Sequence, residues 1–284
     1  MSSATETARR PARPAPSAAA PRRRRPGRWI AKVLHAYTWL MIFYLAAPIL
    51  VMIVFGFNDT HSRVNLRWQG FTVKWYGKLF DIPDLSAALR NSLLIALLTT
   101  VIATVLGTMV GLSLGRYRFR GMATLDLLMF ANIAAPELVL GAALLTLFIT
   151  VQFQRGFLTI LVAHVMFTIA YVAVTVRARL AGFDRTLEEA AQDLGADPWA
   201  TFRKITLPLI RPGILAGALM AFALSIDDFV TSNFVNGSAV PFPVWVYSAT
   251  RIGIPPQVFV FGSAIFAVGI LCAIASIVVG RRQP

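Results

Sequence analysis

The sequence predicts an all-α membrane protein with six transmembrane helices. Hydrophobic residues make up 57% of its 284 residues and charged residues only 14%, whereas a soluble domain is about 45–50% apolar and about 25% charged. Apolar stretches of about 20 residues, the length that crosses a hydrocarbon core of about 30 Å, recur along the chain. The six predicted spans are 36–56, 91–115, 123–150, 157–179, 211–231 and 257–280.

Lys and Arg are distributed unequally between the two sides that these spans define. The net charge is +14, and 20 of the 27 Lys and Arg residues lie on the side that carries both termini. Cytoplasmic loops are enriched in Lys and Arg, so we expect both termini in the cytoplasm. The basic excess therefore indicates membrane topology and not a nucleic-acid partner.

The segment 1–35 is predicted as one tail, because residues 1–28 are rich in Ala, Pro and Arg and contain almost no apolar bulk. Such a composition cannot form a packed core, so we predict a disordered cytoplasmic tail. The run RRRR at 22–25 is expected to lie against anionic lipid head groups. Residues 36–284 are predicted to form the six-helix transmembrane domain.

An external segment, about 57–90, follows the first span. It contains Trp68, Trp75 and Tyr76 together with several Lys and Arg residues. Aromatic residues are enriched at the membrane–water interface, so we predict a short helix or strand lying at the outer surface.

The second span carries Gly107, Gly111 and Gly115. A spacing of four places these glycines on one helix face. Small residues at this spacing let two helix backbones approach closely in membranes, so the pattern predicts helix packing.

The third span is interrupted by Pro136, and Glu137 follows directly. Proline removes a backbone hydrogen bond and kinks a helix. A glutamate in an apolar span either is protonated or hydrogen-bonded to a neighbouring helix, or marks a transport pathway. We favour the pathway.

The loop at about 180–210 predicts a short helix–turn–helix on the cytoplasmic side. Thr186 and Glu189 have the spacing of a capping box, and Gly195 suits the left-handed position that ends a helix. Asp197 and Pro198 predict the start of a second helix. An apolar stripe runs along the first helix at positions 187, 190, 191 and 194.

The second helix of this loop has an apolar side formed by Trp199 and Phe202, which Ile205 can extend, and Pro208 is predicted to restrain its far end. An amphipathic helix pair must cover its apolar side. It either packs on the chain's own helix ends or binds a separate cytoplasmic subunit, and we favour the subunit.

The fifth span ends in two adjacent acids, Asp227 and Asp228. At 1.5 Å per residue, Glu137 lies about 18 Å along its span counted from about residue 125, and Asp227 about 22 Å along its span counted from about residue 212. Carboxylates at a shared depth attract a cation. Adjacent helical residues point about 100° apart, so we expect one acid, Asp227 slightly ahead of Asp228, to face the pathway. Alternatively, both are hydrated at the outer interface or cap a re-entrant turn.

The cytoplasmic loop resembles the signature loop of the inner-membrane subunits of bacterial ABC importers. Its pattern is EAA-x₃-G-x₉-I-x-L-P over residues 189–208. The resemblance implies a type I ABC importer fold in the bacterial inner membrane. It also implies that the loop is a coupling helix bound by the ATPase, through Glu189, Ala190, Ala191, Leu194, Gly195, Ile205, Leu207 and Pro208.

The same resemblance implies the partners of the chain. They are a second permease subunit, two copies of an ABC ATPase and an external solute-binding protein. The chain has no G-x₄-G-K-[ST] phosphate-binding loop, so we expect no cofactor on it, with ATP and Mg²⁺ held by the ATPase.

Further stretches resemble the polyamine branch of this family, the spermidine/putrescine permeases. They include RYRFRG, PELVLG and SIDDFVTSNFVNG. A polyamine needs separated anionic contacts and aromatic surface, for which Phe229, Trp245 and Tyr247 are candidates.

Three alternatives remain open. The same machine could carry another solute, such as iron, a phosphonate, an opine or a thiamine-like cation. An ion-coupled secondary transporter also uses intramembrane acids, although it would not need the coupling loop. An enzyme is disfavoured, because His35, His61 and His164 lack metal-ligand spacing and no hydrolase motif occurs.

Overall fold

The computed structural model describes residues 28–62, 64–65, 67–182 and 184–280. Regular structure in these residues is helical, apart from one antiparallel bridge between Asn58 and Phe71. The helices are α1 (Arg28–Phe55), α2 (Lys74–Gly77), α3 (Pro83–Arg116), α4 (Met122–Ala134), α5 (Glu137–Thr150), α6 (Phe157–Ala181), α7 (Thr186–Asp193), α8 (Pro198–Thr201), α9 (Leu207–Asp227), α10 (Val230–Val235), α11 (Phe242–Thr250) and α12 (Pro256–Gly280), with a π-helical turn at Phe202–Thr206.

Four helical segments of the described chain are long and apolar enough to cross a membrane. They are Lys32–Phe55, Pro83–Arg116, Phe157–Ala181 and Pro198–Asp227, and α4 with α5 adds a fifth if the bent pair is one span. The all-α fold class is therefore confirmed. The count of six spans stays a prediction.

The chain divides at Val51 into two compact units. The first contains most of α1, which has no buried residue in its apolar window. Residues 1–27 of the predicted tail lie outside the described residues. The helix begins at Arg28, so residues 28–35 are helical where a disordered tail was predicted. Trp29, Ile30, Val33 and Leu34 extend the apolar run toward the N-terminus, which explains the earlier start.

The second unit is built on α3, α6 and α9, which pack closely on one another. Gly107, Gly111 and Gly115 of α3 all face α6. A Cβ atom at Gly111 would lie 2.7 Å from the carbonyl oxygen of Ala173, and one at Gly107 would lie 2.6 Å from Cβ of Val172. Such distances leave room only for glycine, so these residues set the separation of the two helices.

The segment 56–82 is held together by the fully buried side chain of Asn58. Its Nδ2 donates to Oδ1 of Asn65 and to the carbonyl of Arg67, and its Oδ1 accepts from the backbone N–H of Gln69. The ammonium of Lys74 pairs with Asp59 and lowers the pKa of that carboxyl. The short helix α2 lies in this segment, as the aromatic pattern predicts.

α3 begins at Pro83, eight residues before the predicted span. Pro83 stands in the first turn, where proline needs no N–H partner. The residues between it and the apolar run include Asp84 and Arg90. Helical geometry extends through such polar residues, whereas a hydropathy pattern detects only the apolar part.

The third and fifth predicted spans are each broken. α4 and α5 meet at Ala135–Pro136 with a bend of 109°, where a kink was predicted. Steric conflict with a following proline disfavours helical geometry, and Ala135 accordingly has ψ 132°. α9 ends at Asp227, Asp228 has ψ 114°, and α10 starts at Val230, so the predicted helix 211–231 ends early.

The helix pair predicted for the cytoplasmic loop corresponds to α7 and α8. Gly195 has φ +87°, which confirms the predicted left-handed turn, and Asp197 Oδ1 accepts from the N–H of Ala200 at 2.8 Å, which confirms the predicted cap. The capping box of Thr186 and Glu189 is wrong. Asp184 accepts from the N–H of Thr186 at 3.0 Å instead, and this bond lowers the pKa of the Asp184 carboxyl.

The predicted end of the second loop helix at Pro208 is also wrong, because the chain stays helical from Pro198 to Asp227. A proline ring collides with the carbonyl four residues earlier in an α-helix. Here that carbonyl, of Lys204, lies in the π-helical turn, where the N–H of Leu207 bonds to Phe202 five residues back. The wider turn accommodates Pro208 and joins α8 to α9.

Candidate functional site

The two helix breaks of the second unit border one cavity. Its volume is about 320 Å³, within the range of small-ligand sites. Residues from the α4–α5 break, from α6 and from the α9–α10 break line it. They are Asn132, Ile133, Ala135, Glu137, Leu140, Phe167, Tyr171, Leu224, Asp227, Asp228, Phe229, Val230 and Thr231.

Glu137 and Asp227 present exposed carboxylates to this cavity. Glu137 is the first residue of α5, and Asp227 is the last residue of α9. Both side chains are exposed within the chain. The two acids from separate spans therefore line the same space, as their predicted depths require.

The helix ends add to the negative character of the cavity. α4 and α9 both end there, and the carbonyl groups of a helix C-terminus carry about half a negative charge. α5 begins there with the opposite sign, but Glu137 occupies its first turn, where an acidic group is favourable. The arrangement suits a cation.

Asp228 differs from Asp227, since its side chain is only 6% exposed. Its Oδ2 accepts from the N–H of Ser232 at 2.7 Å, and its Oδ1 accepts from the N–H of Thr231 at 3.3 Å. These bonds cap the start of α10, which matches the alternative in which an acid caps a re-entrant turn. Both oxygens of the Asp228 carboxylate therefore accept hydrogen bonds from the chain's own backbone.

A buried histidine completes this arrangement. His164 of α6 places Nε2 3.2 Å from Oδ2 of Asp228 and 3.0 Å from Oγ of Ser232, with Nδ1 2.7 Å from Oγ of Ser225. A carboxylate only accepts hydrogen bonds, so Nε2 carries the proton and donates to Asp228. The cluster ties α6 to both sides of the α9–α10 break.

The three predicted aromatic residues occupy different places. Phe229 lines the cavity, and Tyr247 packs against it with ring centroids 4.7 Å apart. Trp245 lines a separate cavity with Ile82 and Asp84. Two aromatic residues that the sequence argument missed, Phe167 and Tyr171 of α6, line the cavity with the acids.

Sequence reasoning also missed the role of His164, which it weighed only as a metal ligand. A histidine in an apolar span was the available signal, because a buried polar group requires a partner. Its partners lie 61 to 68 residues away, and one sequence does not reveal such pairings.

The predicted docking residues lie on α7 and in the segment that follows it, up to the first residues of α9. Leu194 is 90% exposed and Trp199 69% exposed, so the apolar side of the pair is open to a partner. Glu189, Ala190 and Gly195 are also exposed, whereas Ala191 is half-buried. Further along, Ile205 and Leu207 are half-buried and Pro208 is exposed.

Comparison with protein families places residues 103–282 in the binding-protein-dependent transport system inner membrane component family. The spermidine/putrescine transport system permease protein PotC of Escherichia coli (strain K12) is 38% identical over 241 residues, covering 84% of this chain and 90% of that protein. The putrescine transport system permease protein PotI of the same strain is 39% identical over 249 residues, with 84% and 88% covered.

Solved structures share the fold at lower identity. A bacterial ABC transporter involved in the import of the acidic polysaccharide alginate has a chain with a TM-score of 0.65 and 16% identity, covering 90% of this chain and 97% of that one. The MetNI methionine ABC transporter has a TM-score of 0.55 and 17% identity, with 74% and 98% covered. At these identities the likeness supports the fold alone.

Proposed function

Because the chain belongs to the family of binding-protein-dependent transport system inner membrane components, we propose that it is the permease subunit of an ATP-driven ABC importer for polyamines such as spermidine and putrescine. Two relatives that are 38% and 39% identical are spermidine/putrescine and putrescine permeases by name. The observation that carries the substrate proposal is the shared cavity of Glu137 and Asp227.

A polyamine carries several ammonium groups separated by short methylene chains, so it needs separated anions and apolar surface between them. Glu137 and Asp227 provide the anions from two different helix breaks. Phe229, backed by Tyr247, provides an aromatic face, and an ammonium group over such a face gains about 0.5–2 kcal/mol. Asp228 acts indirectly by holding the break in place, and Trp245 contacts the solute at another stage of the path.

The cytoplasmic helix pair couples transport to ATP. The exposed surface around Glu189, Ala190 and Leu194 binds a separate ATPase, and Gly195 lets the chain turn between the two helices. Movement of this pair reaches the cavity through α9, which runs without interruption from the loop to Asp227. ATP and Mg²⁺ bind to the ATPase and not to this chain.

The complete importer contains further subunits. Six spans, counting α4 with α5 as one and α12 as the last, form half of the translocation pathway in the bacterial inner membrane. A second homologous permease subunit supplies the other half. Two ATPase copies bind at the cytoplasmic side, where both termini lie, and an external solute-binding protein delivers the substrate.

The substrate class is tested by competition. Proteoliposomes that contain the complete importer are given labelled putrescine with the loaded binding protein, and unlabelled spermidine, iron, a phosphonate, an opine or thiamine is added in excess. Competition by spermidine alone is expected. If the cognate binding protein retains no polyamine, or if thiamine competes equally well, the substrate proposal fails.

A further inference from the structure

A polar contact of three side chains joins three elements at the cytoplasmic end of the second unit. Arg116 is the last residue of α3, Glu188 lies in the first turn of α7, and Thr206 ends the π-helical turn before α9. Nη2 of Arg116 donates to Glu188 Oε1 and, at 3.2 Å, to Thr206 Oγ1. The hydroxyl of Thr206 donates to the same Glu188 oxygen.

This contact is largely shielded from water. Thr206 is fully buried, and the side chains of Arg116 and Glu188 are 21% and 15% exposed. Glu188 therefore differs from its neighbour Glu189, which is exposed. A shielded ion pair keeps its geometry better than a surface pair, because solvent and salt screen it less.

α7 has few other connections to the membrane helices. Its backbone packs chiefly against α8 and the π-helical turn. A second contact to α3 comes from Arg185, whose Nη2 donates to the carbonyl of Gly115 at 3.3 Å. α7 thus reaches α3 through polar side chains at the last turn of that helix.

α3 can transmit a movement of α7 to the other membrane helices. Its interface with α6 is the most extensive in the chain, and the glycines described above leave little room for sliding. A displacement of α3 is therefore shared by α6 and α9, and α9 ends at the cavity with Asp227.

We propose that Arg116, Glu188 and Thr206 form a mechanical joint that makes α7 move with α3 and with the base of α9. These residues are positioning residues, which act through the helices and touch neither substrate nor nucleotide. The proposal rests on the proposed function for its role in transport, whereas the rigid link itself does not depend on the solute.

The link is measured by spin-label distances in the full chain assembled with its ATPase. Labels replace the exposed Met109 of α3 and Asp193 of α7 in a Cys272→Ala background, and distances are recorded with and without ATP. The wild-type distribution should stay narrow in both states. Glu188→Arg should broaden it, because a second cation is placed against Arg116, and the reciprocal exchange Arg116→Glu/Glu188→Arg should narrow it again.

A matched control is available in the pair of Arg177 and Asp126, which joins α6 to α4. Asp126→Arg makes the same charge change without involving α7 and should leave the distribution narrow. Co-purification of the ATPase with every variant shows that assembly persists. The proposal of a mechanical joint is overturned if the spin-label distance distribution stays narrow in Glu188→Arg, or if it broadens equally in Asp126→Arg.

The transport consequence is measured separately as solute taken up per ATP hydrolysed. Glu188→Arg should lower this ratio about fivefold to tenfold, which lies within the range expected for residues that modulate coupling between sites, and the exchange should recover most of it. If the wild-type complex imports no polyamine, the proposed function fails. The distance measurement still tests whether the three residues link α7 to α3.

Discussion

Two adjacent aspartates at the end of α9 have different tasks. Asp228 accepts backbone and histidine hydrogen bonds and is nearly buried, whereas Asp227 is exposed in the cavity. Insertion scales give a cost of about 2.5–3.5 kcal/mol for an acid at the centre of a membrane helix. The surroundings of each aspartate reduce this cost in a different way. Asp228 is paired, and Asp227 lies at a helix end beside open space.

Asp227→Asn should reduce polyamine uptake about tenfold, since losing one charge contact of about 1.4 kcal/mol changes affinity by that factor. The side chain keeps its size, so complex assembly should not change. Initial uptake rates over a range of substrate concentrations, with quantification of the co-purified subunits, provide the measurement. An unchanged rate removes Asp227 from the substrate path.

Asp228→Ala should act mainly on folding. It leaves His164 and the first N–H groups of α10 without their buried partner, and each buried polar group left without a hydrogen-bond partner costs about 1–3 kcal/mol. The melting temperature of the purified chain in detergent should fall well below that of Asp227→Ala, its neighbour and control. Equal melting temperatures of the two variants would contradict a structural role for Asp228 that Asp227 does not share.

At the scale of elements, local chemistry predicts some features of the loop and misses others. Gly195 and Asp197 act over three or four residues, so their turn and cap follow from the sequence alone. The π-helical turn before Pro208 is different, because it widens the helix so that a proline fits within a continuous element. The pattern of residues 202–206 carries no distinct sign of that turn.

Glu189→Arg and Gly195→Pro should each uncouple ATP hydrolysis from uptake while the spans stay inserted. The first reverses a charge on the exposed surface that we propose binds the ATPase. The second replaces a residue with φ +87° by one whose ring fixes φ near −65°. ATPase activity and uptake are measured on the same preparation. Wild-type ratios in both variants remove the docking assignment.

Gly111→Ala should lower stability by about 1–3 kcal/mol, the usual cost of overpacking. A Cβ atom there meets backbone of α6, which cannot move aside as a side chain can. Gly269→Ala is the control, because a Cβ atom at that helical position meets none of the described side chains or neighbouring backbone within 4 Å. If both variants melt at the same temperature, the close contact of Gly111 with α6 does not limit how α3 and α6 pack.

For the molecule as a whole, hydropathy predicts the helices and the signature loop predicts the family, but neither predicts the cavity. The cavity depends on how far the chain bends at Pro136 and on where α9 stops. Those features follow from contacts between distant segments, such as His164 with Asp228. The sequence predicts only that Glu137 and Asp227 lie at a similar depth, and not that they line the same cavity. It also does not show that Tyr247 packs beside this cavity whereas Trp245 lines another one.

The central claim is that ATP hydrolysis on a partner subunit drives polyamine import through this chain. The most direct measurement is the initial rate of spermidine uptake into proteoliposomes that contain both permease subunits and the loaded binding protein, with and without the ATPase and ATP. Uptake is expected only when the ATPase and ATP are both present, and it should be lost in Glu189→Arg. Equal uptake without the ATPase, driven by an ion gradient, would contradict the central claim.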